Sequence, residues 1–186
     1  MNTTLHAIKE RRTTRKFKQE QISKETLNAI IEAGLYAPSA HNQQSWHFTV
    51  IQDPTVIKEL NHATKKSLLS IPDAGIQKMA GNEAFDIFYG APTVILISGE
   101  DAALMPMVDC AAATENMFIA AESLNVGGCW NGFVGRLFAS EQQASYAAKL
   151  EIPEGYTTYY AAVFGNIEAR AKNAPPRREN RVNFID

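Results

Sequence analysis

The chain of 186 residues contains only two cysteines, Cys110 and Cys129, and their spacing is neither that of a metal site nor a C-x-x-C motif. The first residues, MNTTLHAIKERR, include no apolar stretch typical of a signal peptide. The longest apolar runs, such as residues 94–97, are far too short to span a bilayer. We therefore expect a cytoplasmic protein with no membrane partner, in which both thiols are buried and reduced.

Several catalytic and binding motifs are also missing. There is no G-x-G-x-x-G after a strand and no Walker A sequence, so a nucleotide held by a glycine-rich loop is not expected. No G-x-S-x-G elbow marks a serine hydrolase. The four histidines have no paired spacing, so we expect no metal site; they are His6, His41, His47 and His62.

Positive charge is scarce in the middle of the chain and concentrated at its ends. Of the 18 Lys and Arg residues, six lie within residues 9–18 and five within 170–181, whereas residues 21–169 carry seven cations and sixteen carboxylates. Arginine forks combined with hydroxyl donors suit a phosphate, and Arg11-Arg12-Thr13-Thr14-Arg15 has this composition. Two solvated basic tails or a weak nucleic-acid arm remain the alternatives, although the net charge of −2 argues against a dedicated nucleic-acid protein.

The apolar pattern indicates one domain, residues 1–186, with helices in excess of strands. Pro106 is compatible with the longest helix only near its first turn, and Asn125-Val-Gly-Gly indicates where that helix stops. Three or four strands with many helices favour an α+β sandwich. Helices are expected at about 4–11, 24–36, 54–68, 76–88, 102–124 and 140–149, and strands at 47–51, 92–98 and 157–164.

The last residues, about 170–186, form a polar and basic tail in which Pro175-Pro176 enforces an extended chain. Such a segment cannot pack on itself. It nevertheless regains apolar residues at Val182, Phe184 and Ile185. We expect it to gain burial by crossing onto a second copy of the chain.

A polar segment, Pro38-Ser39-Ala40-His41-Asn42-Gln43-Gln44-Ser45-Trp46, lies between a predicted helix and a predicted strand. Asn and Gln side chains offer both donors and acceptors, which suit the edge of a heteroaromatic ring. An ordinary polar loop is the alternative, because Ser, Asn and Gln are common in loops.

Taken together, the Arg11–Arg15 pattern and the 38–46 segment resemble the FMN-dependent nitroreductase family, whose signatures are R-R-[ST]-x-R and P-S-x-x-N-x-Q-P-W. Ser45 stands where the family usually has proline, and we expect this difference to loosen the loop slightly. Gly90-Ala91-Pro92, the long helix with the glycine-rich segment 127–132, and Phe164-Gly165 followed by Pro175-Pro176-Arg177-Arg178 extend the resemblance along nearly the whole chain.

The resemblance implies a nitroreductase-like α-β-α sandwich with a mostly antiparallel central sheet, in a domain-swapped homodimer that exchanges its C-terminal tails. It also implies FMN as cofactor and NAD(P)H as co-substrate. The nicotinamide would pass a hydride to flavin N5, and a nitroaromatic, quinone or similar acceptor would then take the electrons in a ping-pong cycle without a catalytic side chain. A flavin-binding or interface protein with incidental turnover is the alternative, as is another flavin chemistry of the family, such as dehalogenation or enone or aldehyde reduction.

The resemblance also assigns site residues. Arg11 and Arg15, together with Arg177 or Arg178, would bind the FMN phosphate, with Arg12 sharing in this and Thr13 adding a polar contact. Gln44 would lie near the polar edge of the flavin, and the backbone at Asn131-Gly132 would approach N5. The other subunit's wall of the pocket would be formed by Pro38, Ser39, Ala40 and Asn42.

Overall fold

The computed structural model describes residues 2–171 and 173–185, so Met1, Asp186 and Lys172, one of the tail's cations, lie outside the described residues. At its centre is a four-stranded sheet in the order β1-β2-β4-β3, and every neighbouring pair of strands is antiparallel. This confirms the α+β class expected from the sequence. The strands are β1 (Trp46–Ile51), β2 (Thr93–Glu100), β3 (Val126–Asn131) and β4 (Tyr156–Asn166).

Helices cover both faces of the sheet. Ser23 and Asp53 cap the second and third helices, each by accepting hydrogen bonds from backbone N–H groups of the first turn. None of the helices in the described ranges is both long and apolar enough to cross a membrane. The helices are α1 (Thr3–Glu10), α2 (Lys24–Leu35), α3 (Pro54–Leu68), α4 (Ala74–Gly81), α5 (Pro106–Ser123), α6 (Gly135–Phe138) and α7 (Gln143–Lys149).

Strand β2 shows how the two layers arise from one alternating sequence. Val94 and Leu96 point into the core formed with α3, α4, α6 and α7. Ile95 and Ile97 point into the other core, formed with α2 and α5. All four side chains are fully buried, which places β2 between two apolar layers.

Three sequence predictions need correction. The helix expected over 76–88 ends at Gly81, because Asn82 and Asp86 bond the backbone N–H groups of Ala84, Phe88 and Gly90 and form turns instead. The long helix begins at Pro106 rather than at residue 102, with the proline in its first turn. The glycine-rich segment expected to be only a stop and a turn is the edge strand β3.

Candidate functional site

The N-terminal arm, residues 11–18, lies along β3 at the edge of the sheet. The Thr14 N–H donates to the Gly128 carbonyl at 2.9 Å, and Thr13 pairs with the same glycine. A Cβ atom on Gly127 would come within 2.8 Å of the Thr14 side chain. The glycine pair therefore allows the arm to approach the strand closely, which brings the arginines to this edge.

Arg11 and Arg12 have different surroundings although they are neighbours in sequence. Arg12 donates from Nη1 to the carbonyls of Lys9 and Arg11, at 2.6 and 2.8 Å, and so closes the C-terminal end of α1. Arg11 Nε lies 3.3 Å from Glu115 Oε1, close enough for an ion pair but without the geometry of a hydrogen bond. Within the described residues, the buried Nε atoms of both arginines have no hydrogen-bond acceptor.

Arg15 reaches in another direction, toward the segment before β2. Its guanidinium carbon lies 5.6 Å from the centre of the Tyr89 ring, within the range of a cation–π contact. It also lies beside the Cys129 thiol. Burial raises the pKa of that thiol, and the neighbouring positive charge of Arg15 opposes the rise. The arm and the end of β3 thus form one continuous surface.

The end of β3 combines a buried side chain with an open backbone position. Asn131 donates to the Ile87 carbonyl and accepts from the N–H groups of Phe133 and Val134, at 3.0 and 3.3 Å, so its side chain is used inside the protein. A Cβ atom on Gly132 would meet no described atom within 4 Å. A ligand could therefore approach the peptide at Gly132.

The polar loop, residues 38–45, has a tight and unusual backbone. His41, Asn42 and Gln44 have φ angles of 51°, 54° and 49°, which non-glycine residues adopt at a cost. Inside the loop, the Gln44 N–H donates to Ser39 Oγ at 2.9 Å and Gln44 Nε2 donates to Asn42 Oδ1 at 3.1 Å. These bonds hold the polar side chains of Ser39, Asn42 and Gln44 in place within the loop.

The expectation that Ser45 loosens this loop stays a prediction, although Ser45 itself is held by a hydrogen bond. Ser45 is fully buried and donates from Oγ to Asp109 Oδ2 at 2.7 Å. The other oxygen of the same carboxylate accepts from the Ala40 N–H at 2.9 Å. Two points of the loop are therefore bound to one residue of α5.

The polar loop and the C-terminal tail, the other two parts of the predicted site, are not assembled with the arm within one chain. No hydrogen bond or ion pair in the described ranges joins the polar loop to the arm. The tail is exposed, and Arg177 donates only to the nearby Pro175 carbonyl, at 3.2 Å. The backbone N–H groups of Lys18 and Glu168 bond the carbonyls of Asn166 and Lys16, so the tail leaves the sheet beside the arm.

Sequence reasoning missed the acidic contacts of α5. Asp109 binds the polar loop and Glu115 pairs with Arg11, yet neither was singled out. The sequence did offer a signal. Helix α5 is otherwise rich in small and apolar residues, so carboxylates within it indicate specific contacts.

Comparison with known proteins gives consistent matches over the whole fold. Residues 8–166 match the model of the nitroreductase family. A protein of Archaeoglobus fulgidus that bears the provisional name NADH dehydrogenase/NAD(P)H nitroreductase is 31% identical over 166 residues, 89% of this chain and 86% of that protein.

Two solved structures are similar from end to end. A nitroreductase from Bacteroides fragilis with bound FMN superposes with a TM-score of 0.93 at 31% identity and full coverage of both chains. A nitroreductase from Desulfitobacterium hafniense, also with bound FMN, has a TM-score of 0.89 at 29% identity, again over both full chains.

Proposed function

Because this chain belongs to the nitroreductase family, we propose that it is an NAD(P)H-dependent FMN oxidoreductase that reduces nitroaromatic compounds, quinones or similar electron-poor acceptors. When bound, FMN supplies the redox chemistry by taking a hydride from NAD(P)H and passing two electrons to the acceptor. A single shared site for the two substrates would give ping-pong kinetics. A cytoplasmic location remains a prediction.

The observation that carries the proposal is the arginine cluster at the edge of β3. In the described part of the chain, the buried Nε donor of Arg12 has no hydrogen-bond acceptor, and that of Arg11 faces Glu115 Oε1 at 3.3 Å without hydrogen-bond geometry. An unsatisfied buried donor is costly, and a phosphate oxygen would satisfy it with a charge-assisted bond. The residues present therefore fit a ligand that ends in a phosphate. Arg15, on the same arm, would add a third positive charge.

We infer the rest of the pocket from the open backbone position and the exposed polar groups. The Gly132 peptide N–H would hydrogen-bond the ring system, since Gly132 is exposed and, apart from its chain neighbours, no described atom lies within 4 Å of its Cβ position. The Thr13 hydroxyl is exposed beside the same strand and would contact the ribityl chain. Arg12, which already closes α1, would contribute mainly through its Nε.

A homodimer would supply the remaining groups. The polar loop and the tail do not join the arm within one chain, so a partner would bring its own copies to this pocket. The partner tail would add Arg177 or Arg178 to the phosphate site, and the partner loop would present Pro38, Ser39, Ala40, Asn42 and Gln44. The side chains of these two arginines are exposed and available for such a contact.

The test is to purify the protein and examine its colour and its reduction. We expect a yellow protein that releases FMN on denaturation and bleaches anaerobically when NADH or NADPH is added. Free FMN at the same concentration is the control for reduction without protein. Addition of a nitroaromatic compound or a quinone to the bleached protein should restore the flavin absorption.

Two results would count against the proposal. A colourless protein that does not bind added FMN would contradict the cofactor assignment. A yellow protein that neither NADH nor NADPH reduces faster than free FMN would favour a flavin-binding protein in which turnover is incidental.

A further inference from the structure

Asp109 is the only charged residue that is buried in the part of the chain that the structure describes, with 3% of its surface exposed. A buried carboxylate is expensive unless its oxygens are bonded. None of the three ion pairs of the described residues includes Asp109. Its place in the first turn of α5, where the helix dipole favours negative charge, offsets part of the cost.

The carboxylate of Asp109 contacts the polar loop, at one point on each side of its central residues. Oδ1 accepts from the Ala40 N–H at 2.9 Å, and Oδ2 accepts from Ser45 Oγ at 2.7 Å. Between these two points lie the three residues with left-handed backbone, His41, Asn42 and Gln44. Residues in that region cost about 1–2 kcal/mol each, so the surrounding contacts must hold the loop in place.

We propose that Asp109 is a positioning residue for the flavin pocket, which holds the polar loop in the conformation that presents its polar groups to the cofactor. This inference rests on the proposed function, in which Ser39, Asn42 and Gln44 contact FMN. Asp109 itself would not touch the flavin. It acts through the Ala40 N–H and the Ser45 hydroxyl.

Ser45 contributes to this arrangement in two ways. The serine hydroxyl completes a second bond to Asp109, and the Ser45 carbonyl also accepts from the Glu100 N–H of β2 at 2.8 Å. Proline, the usual residue of the family signature at this position, has no side-chain donor. The loop here is therefore bound by a side chain where a rigid ring would otherwise restrict it.

The experiment compares Asp109→Ala, Asp109→Asn and Ser45→Ala with the unmodified chain. Thr114→Val is the matched control, because Thr114 is a fully buried polar residue of the same helix that bonds only Cys110 and Tyr160. Two quantities are measured: hydrogen exchange of peptides covering residues 38–45 in the FMN-free protein, and the Kd for FMN by fluorescence titration.

We expect Asp109→Ala to accelerate exchange in the loop and to raise the Kd for FMN about tenfold or more, equivalent to about 1.4 kcal/mol per factor of ten. Ser45→Ala, which removes one of the two bonds, should raise the Kd roughly threefold, within the range for one hydrogen bond. Asp109→Asn keeps an acceptor for Ala40 and should fall between Asp109→Ala and the unmodified chain. Thr114→Val should lower the melting temperature but leave loop exchange and FMN affinity within about twofold of the unmodified values.

The outcomes separate this inference from the proposed function. If the unmodified chain binds FMN and Asp109→Ala changes its Kd no more than Thr114→Val does, the inference is overturned while the proposed function stands. Faster loop exchange without weaker FMN binding also overturns it. If Asp109→Ala does not fold, the Ser45→Ala and Asp109→Asn pair decides by the same two measurements. An unmodified chain that binds no FMN overturns the proposed function and this inference together.

Discussion

Three arginines within five residues of the arm have three different surroundings. Arg12 bonds the carbonyls at the end of α1, Arg11 pairs with Glu115 of α5, and Arg15 lies over the Tyr89 ring. Their spacing predicted a common anion site but not this division. The division matters because only a guanidinium with free N–H groups can bind a phosphate. All three arginines keep free N–H groups, but Arg12 keeps fewer than Arg11 and Arg15 because it already uses Nη1 twice.

Arg15→Ala tests the arm directly. We expect its Kd for FMN to rise about 10- to 100-fold, because one charge-assisted hydrogen bond contributes about 1.5–3 kcal/mol. The Kd of Arg15→Lys should lie between those of Arg15→Ala and the unmodified chain, since lysine keeps the charge but not the planar fork. Lys18→Ala, which removes an exposed cation of the same arm, is the control and should bind FMN normally. Unchanged affinity in Arg15→Ala, measured by fluorescence titration, would argue against a phosphate site here.

Among the helices and strands, those with a clear apolar period were predicted well. Strand β1, helices α2 and α3, and most of β2 lie within one or two residues of the predicted bounds. Strand β3 could not be predicted in this way. Its Gly127-Gly128 pair is typical of a turn, and it forms a strand because it pairs antiparallel with β4. Thr14 and Phe118, distant in sequence, occupy the space where Cβ atoms of this pair would stand.

In the candidate site, too, some parts could be predicted from the sequence and others could not. The arm, the polar loop and the end of β3 were predicted from residue types and from the family signatures. The contacts that hold them could not be predicted, because Asp109 and Glu115 reach the loop and the arm only once α5 packs against the sheet. Ser45 illustrates the same limit, because its side-chain bond to Asp109 depends on tertiary packing and could not be predicted from the signature.

Substitutions of two glycines, Gly127 in β3 and Gly132 directly after it, test folding and FMN binding separately. In Gly127→Ala, the new methyl group would lie within 2.8 Å of Thr14. Such overpacking costs about 1–3 kcal/mol, so the FMN-free protein should be less stable to urea. Gly132→Ala meets open space and should unfold like the unmodified protein, yet bind FMN more weakly because its methyl group would stand where the ring approaches. Equal urea midpoints for Gly127→Ala and the unmodified protein, or normal FMN affinity in Gly132→Ala, would contradict this division.

Considered as a whole, the molecule leaves apolar side chains exposed on α1 and at the N-terminal end of α5. Leu5 and Ile8 of α1 are 53% and 46% exposed, and Met107 and Val108 of α5 are 58% and 55% exposed. Isolated apolar residues on a surface need no explanation, but groups of them are typical of surfaces that bind a protein partner. The tail adds Phe184 at 85% exposure. A second copy of the chain would cover both features and complete the pocket.

The tail offers two sets of substitutions that distinguish its roles in the proposed dimer. Replacing Val182, Phe184 and Ile185 with serine removes the apolar end but keeps both arginines. Burying one such side chain contributes about 1.5–3 kcal/mol, so we expect the dimer to dissociate at roughly 100-fold higher concentration or more, measured by sedimentation. Arg177→Ala with Arg178→Ala should leave the dimer intact and weaken FMN binding about tenfold. A monomeric chain that still holds FMN at micromolar concentration, or a serine variant that dimerises normally, would mean that the tail is not exchanged.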